Sequence, residues 1–80
     1  MGKRSFEARQ AKRGYILAMH LANEMGLHHS TIYRWIQKKK ITAEHIGNRR
    51  WVRIASLRTY LGDHAFKLYK LDELIRRLKR

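Results

Sequence analysis

Between residues 30 and 40 the chain reads STIYRWIQKKK, a run that gathers hydroxyl, phenol, guanidinium, amide and ammonium groups. On a helix turning about 100° per residue, Ile32, Trp35 and Ile36 fall within about 60° of one another and predict one buried stripe. The opposite half then carries Ser30, Tyr33, Arg34, Gln37 and Lys38, with Thr31 at its margin. Arginine matches the edge of guanine, glutamine that of adenine, and lysine, serine and threonine hold phosphates. The chemistry on offer is recognition of a nucleic acid. His29, just ahead of these residues, is placed either to touch a phosphate or to cap the helix.

A second cluster, Asn48, Arg49 and Arg50, follows Gly47. Gly47-Asn48 between two β-prone runs predicts a tight hairpin turn, so these residues sit at its tip, where arginine suits a narrow minor groove. Strand alternation puts Arg50, Val52 and Ile54 on one face and Arg49, Trp51 and Arg53 on the other. Val52 and Ile54 have the character of core. Trp51 is left among arginines, either exposed for binding or turned inward by a bulge.

Composition narrows the partners. The 80 residues hold 19 Lys and Arg against 6 Asp and Glu, a formal net charge of +13. A charge of that size repels itself until a polyanion offsets it, and nucleic acid is the commonest. An acidic protein or membrane surface is the lesser possibility. There is no cysteine, hence no disulfide or thiolate site. The five histidines include no His-x₃-His pair, and the adjacent His28 and His29 are expected to diverge, so no metal site is predicted. The six carboxylates show no paired arrangement for acid–base catalysis, and no phosphate-cradling glycine loop or nucleophile elbow is present. No catalytic residue and no cofactor are expected. Without an apolar run of about 20 residues a membrane span is not expected either, and the expected location is the cytoplasm, nucleoid-associated or phage-encoded in a bacterial host.

These groups need a scaffold, and the chain length fits one domain. Residues 1–13 read as a mobile basic arm with a short helical stretch around Phe6–Lys12. Tyr15–Leu17 reads as a strand or extended entry. Met19–Met25 predicts a helix with Leu21, Ala22 and Met25 buried, ended by Gly26 in the left-handed region. Ser30–Lys39 predicts the next, and the three residues between Gly26 and Ser30 give helix-turn-helix spacing. Ala22 provides the small residue where two helices cross. Thr42–Ile46 and Arg49–Ile54 predict the hairpin, and Ser56–Leu61 a short helix stopped by Gly62. Leu71, Leu74, Ile75 and Leu78 mark a terminal helix, with Asp72 and Glu73 in its first turn and Lys79 and Arg80 at its end, as the helix dipole favours. The division is therefore an arm at 1–13, a winged helix-turn-helix at 14–63 and a C-terminal helix at 64–80. That last helix covers the core or docks on a partner. The fold class is mainly α with a small β-hairpin.

The stretch AMHLANEMGLHHSTIYRWIQKKKITAEHIGNRRWVRIASLRTYL resembles the excisionase-type winged helix-turn-helix, or recombination directionality factor, a relative of the MerR DNA-binding domain. The resemblance rests on Ala22 and Gly26, on the run from Ser30 to Ile36, on the hairpin with Gly47, and on the helix with Leu57 and Leu61. It implies a recognition helix in the major groove with Ser30, Thr31, Tyr33, Arg34 and Lys38 as contacts, and a wing in the minor groove with Arg49 and Arg50. His28 and His29 stand where the family often has serine and arginine, and the wing aromatic is shifted by one position. Too short for a dimerising coiled coil and effector domain, the chain is expected to follow the excisionases. They bind adjacent sites in double-stranded DNA, bend it, and direct a tyrosine-type integrase towards excision, with self-association on DNA left open. The alternatives are a small winged helix-turn-helix transcription regulator and, less favoured, an RNA-binding or acidic-protein-binding module.

Overall fold

The computed structural model describes residues 3–79, with side chains from Phe6 onward. In chain order the elements are α1 (Lys3–Lys12), β1 (Tyr15–Leu17), α2 (Ala18–Met25), α3 (His29–Gln37), β2 (Ala43–Ile46), β3 (Arg49–Arg53), α4 (Ile54–Leu61), α5 (Asp63–Leu68) and α6 (Leu71–Leu78). The fold is mainly α with a small antiparallel sheet, as the sequence predicts. None of these helices is long and apolar enough to cross a membrane.

The helix-turn-helix is built by local chemistry. Helix α2 ends at Gly26, whose φ of 68° lies where a Cβ is disfavoured. Leu27 N–H donates to the Ala22 carbonyl and Gly26 N–H to that of Asn23, closing a Schellman turn. Ala22 and Leu21 are buried, and Ile32 of α3 lies in the same core. Burial of a leucine- or isoleucine-sized side chain contributes about 1.5–3 kcal/mol, so a few such contacts fix the crossing.

The strands pair in the order β1-β3-β2, so the hairpin is extended by the segment preceding α2. Trp51 lies opposite Leu17 on one side and Glu44 on the other, and the adjacent Val52 lies opposite Ile16 and Ala43. Both Trp51 and Val52 are buried although they point to opposite faces. Val52 enters the main core with Ile16, Leu57, Phe66 and Leu71. Trp51 is covered from behind by α1, whose Phe6 ring meets it edge-on at 5.3 Å.

That cover changes three expectations. Residues 3–12, read as part of a mobile arm, form a helix packed on β1 and α6, with Gln10 and Ala11 buried; residues 1 and 2 of the arm lie outside the described residues. Trp51 needs neither exposure nor a bulge, because the sheet is covered on both faces. Ile54 is not a core strand residue but the first residue of α4, half-buried.

The C-terminal segment is two helices, not one. Gly62, with φ of 88°, separates α4 from α5, and Lys70 in the left-handed region separates α5 from α6. Leu71, Leu74 and Ile75 turn into the core, so α6 covers it. Arg58 of α4 pins the corner, reaching Asp63 of α5 and Asp72 of α6 while its guanidinium lies 4.1 Å from the Phe66 ring centroid. The Asp72 carboxylate first, then Asp63, holds the Arg58 guanidinium above its ordinary pKa against the opposing effect of burial. Residue 80 of the expected terminal helix lies outside the described residues.

Candidate nucleic-acid interface

Helix α3 begins with a cap that the sequence leaves unresolved. His28 is the N-cap residue, and its Nδ1 accepts from the Ser30 backbone N–H at 3.2 Å and contacts Ser30 Oγ at 2.9 Å. An imidazole here does what serine or aspartate usually does, satisfying one of the orphan donors of the first turn. The two adjacent histidines do not diverge: their rings stack at 4.1 Å. His29 is half-buried and also meets the Tyr33 ring edge-on at 5.3 Å. Among the described residues, no group of three or more His, Asp or Glu is close enough to hold a metal ion.

The ten expected contact residues separate into two sets. Arg34, Gln37 and Lys38 are exposed on α3 and its last turn, and Asn48 and Arg49 are exposed at the hairpin tip. Ser30 is exposed but already engaged by His28. Thr31, Tyr33, His29 and Arg50 are half-buried. Tyr33 is therefore not on a free face: it packs against the core, and the Arg50 guanidinium covers its ring at 4.4 Å from the centroid. This cation–π contact joins helix to wing, so both approach a ligand as one surface. Such contacts are worth about 0.5–1 kcal/mol where exposed and more where desolvated.

The hairpin turn is set by Gly47, with φ of 62°, while Asn48 stays outside the positive region. Glycine in first place is what a type II′ turn requires, and its twist suits the flanking strands. The two-residue loop brings His45 opposite Arg50, so an exposed histidine joins the surface. Residue type does not mark His45 as part of this surface, although the loop length alone gives that register.

At the other end of α3, Lys39 occupies the left-handed region with φ of 59°. Lys40 N–H donates to Trp35 O at 2.9 Å and Lys39 N–H to Ile36 O at 3.0 Å, a second Schellman turn with lysine in the place of glycine. Nothing local in the sequence marks it, because lysine seldom occupies the left-handed region. The three consecutive lysines lie at the C-terminal end of the helix dipole, where positive charge is favoured.

Charge is unevenly distributed. Residues 28–53 contain Arg34, Lys38, Lys39, Lys40, Arg49, Arg50 and Arg53 against Glu44 alone. Among the described residues the ion pairs lie elsewhere: Glu7 with His20, Asp63 and Asp72 with Arg58, and Glu24 with Arg77. Glu44 sits beside the Tyr15 hydroxyl on the back of the sheet; its hydrogen bond first, then burial and its charge, raises the phenol above its usual pKa. Among the described residues, no ion pair neutralises the α3 and hairpin cations. What this arrangement can do chemically is hold an extended polyanion and present Arg34 and Gln37 to it.

Comparison with family models, with curated proteins and with solved structures finds no match to this chain.

Proposed function

We propose that this chain binds double-stranded DNA, with α3 in the major groove and the hairpin against the adjacent minor groove. The observation that carries the reading is the coupled surface of α3 and wing, joined through Tyr33 and Arg50, in a segment, residues 28–53, that holds seven Lys and Arg against one acid. Arg34 and Gln37 read base edges, and Lys38–Lys40 with the hairpin arginines hold phosphates. The helix-turn-helix spacing, the Gly26 turn and the wing support the excisionase-like role suggested by the sequence. In that role the protein bends DNA at adjacent sites and sets the direction of an integrase. Smoothly bending a short site costs about 1–6 kcal/mol, which phosphate contacts offset.

A footprint on the DNA flanking the gene, with wild type and Arg34→Ala, tests the reading. Discrete, regularly spaced protected sites that vanish in the variant are the expected result. Salt-labile binding with no protected site, indifferent to the substitution, would mean that α3 reads nothing. Stronger binding to duplex RNA than to duplex DNA at equal salt would move the assignment to RNA.

A further inference from the structure

Strand alternation fixes the placement of two helices. Tyr33 of α3 meets Arg50, which shares a sheet face with Val52, whereas Phe6 of α1 meets Trp51 on the other face. Helix α1 therefore covers the sheet face opposite the one that α3 meets, and α6, whose Leu71, Leu74 and Ile75 share the core with Val52, contacts α1 from beside the sheet. Along this pair of helices α1 exposes Arg9 and Lys12, with Arg13 just beyond it, and α6 exposes Arg76, flanked by Lys70 and Lys79. Lys12 and Lys79 line one groove where α1, α4 and α6 meet, over the buried Ala11 and Ile75, with the Arg58–Asp72 pair at its wall and Gly14 and Ile54 marking the end of the sheet away from the hairpin tip.

None of these six cations has an acidic partner among the described residues. Of the acids nearby, Asp72 pairs with Arg58, Glu24 with Arg77 and Glu7 with His20, while Glu73 of α6 and Glu44, beside Tyr15 on the α1 face of the sheet, are in no ion pair among the described residues. The exposed large apolar residues, Phe6, Met19, Tyr60 and Leu68, are scattered and form no centre among these cations. Protein-docking surfaces usually have an apolar, aromatic-rich centre, whereas long cationic side chains alone suit a phosphate backbone.

We infer that the α1–α6 side is a second, sequence-independent binding surface for duplex DNA, so that one copy of the chain bridges two DNA segments. The inference rests on the reading of α3 as a DNA-binding helix. The molecule measures 33 × 26 × 20 Å, and a duplex with a persistence length of about 150 bp does not fold back around so small a body. The α1–α6 surface, at the end of the sheet away from the hairpin tip, therefore takes a separate segment.

The test uses the whole chain, an immobilised duplex containing the footprinted site and a free fluorescent duplex of unrelated sequence at about 50 mM salt. Wild type captures the free duplex, and sedimentation shows a species of one protein and two duplexes. Capture falls about a hundredfold by 200 mM salt if four phosphates are neutralised. Lys12→Gln, Arg76→Gln and Lys79→Gln together keep the footprint on the same bases and the same unfolding midpoint, but reduce capture at least tenfold. An intact footprint with only one-to-one or two-to-two complexes overturns the bridge, as does a triple variant that captures like wild type. Capture of polyglutamate but not of the duplex overturns it too, and assigns the surface to an acidic protein. Absence of any footprint removes the DNA reading itself, which separates the two failures.

Discussion

Helices α3 and α1 both carry exposed cations, on opposite sides of one three-stranded sheet, but the two sides hold their charge differently. Around α3 the polar groups are positioned: His28 caps, His29 stacks on it and on Tyr33, and Tyr33 lies beneath Arg50. On the α1 side, Arg9, Lys12 and Lys79 extend from helix surfaces, and none is in an ion pair among the described residues. Reading base edges requires groups held to hydrogen-bonding geometry, while holding phosphates requires only charge within reach. On the proposed DNA-binding reading, the contrast is one between a surface that discriminates and one that attracts.

The largest effect comes from breaking the element that both sides share. Trp51 belongs to the wing strand and is 2% exposed beneath α1. Trp51→Ala is expected to cost about 3–5 kcal/mol, a large part of the stability of a domain this small. Urea or thermal unfolding measures it. A loss below about 1 kcal/mol would mean that α1 is not packed on the sheet in solution, and the two-sided description would fall. Two buried donors, Trp51 Nε1 and Gln10 Nε2, have no partner among the described residues and lie in this same layer. Unpaired buried donors cost about 1–3 kcal/mol each, so the layer is held by packing and not by polar pairing.

Next in size is the difference between discrimination and attraction. Arg34→Ala is expected to weaken binding at the preferred site by about 1–3 kcal/mol and to relax base preference there. Lys12→Ala is expected to leave base preference unchanged and to lower the salt slope of second-duplex capture by about 1. Titrations of matched and mismatched sites at several salt concentrations read both. Equal loss on both sequences for Arg34→Ala would erase the distinction between the two sides.

How far the sequence foretold this arrangement depends on the range of the interactions. The helix-turn-helix was legible because its signals are local: Gly26 needs positive φ, Ala22 needs to be small, and Ile32, Trp35 and Ile36 share a helical stripe. The hairpin was legible from Gly47-Asn48 for the same reason. The fate of Trp51 was not, because it depends on α1, roughly forty residues earlier and with little apolar periodicity of its own. The same limit hid the pairing of Tyr33 with Arg50. In the sequence each has the character of a free contact, since a helical wheel shows a face but not what another element lays across it. The break at Lys70 escaped because lysine is an unusual occupant of the left-handed region.

Lys39 sharpens the comparison from the α3 side. A non-glycine residue in the left-handed conformation costs about 1–2 kcal/mol, so Lys39→Gly is expected to raise stability by about 1 kcal/mol. The same change removes one cation and should lower the salt slope of site binding by about 1. Higher stability with weaker binding would show strain retained for charge. A gain in stability with an unchanged slope would mean that Lys39 contacts no phosphate.

The smallest effect tests whether α3 and the wing act as one surface. If the Arg50 guanidinium over the Tyr33 ring couples them, Tyr33→Phe retains the contact, because the ring face attracts the cation and the hydroxyl does not. Tyr33→Leu removes the ring while keeping an apolar side chain against the core. A double-mutant cycle of Tyr33→Leu with Arg50→Met is expected to give a coupling of about 0.5–1 kcal/mol in stability. The binding cycle carries the sharper argument. If Arg50 is positioned by Tyr33, Tyr33→Leu weakens DNA binding only while Arg50 is present, and the Arg50→Met background is insensitive to it. Additive losses in binding would instead make Tyr33 and Arg50 two independent DNA contacts, and the recognition helix and wing two separate readers.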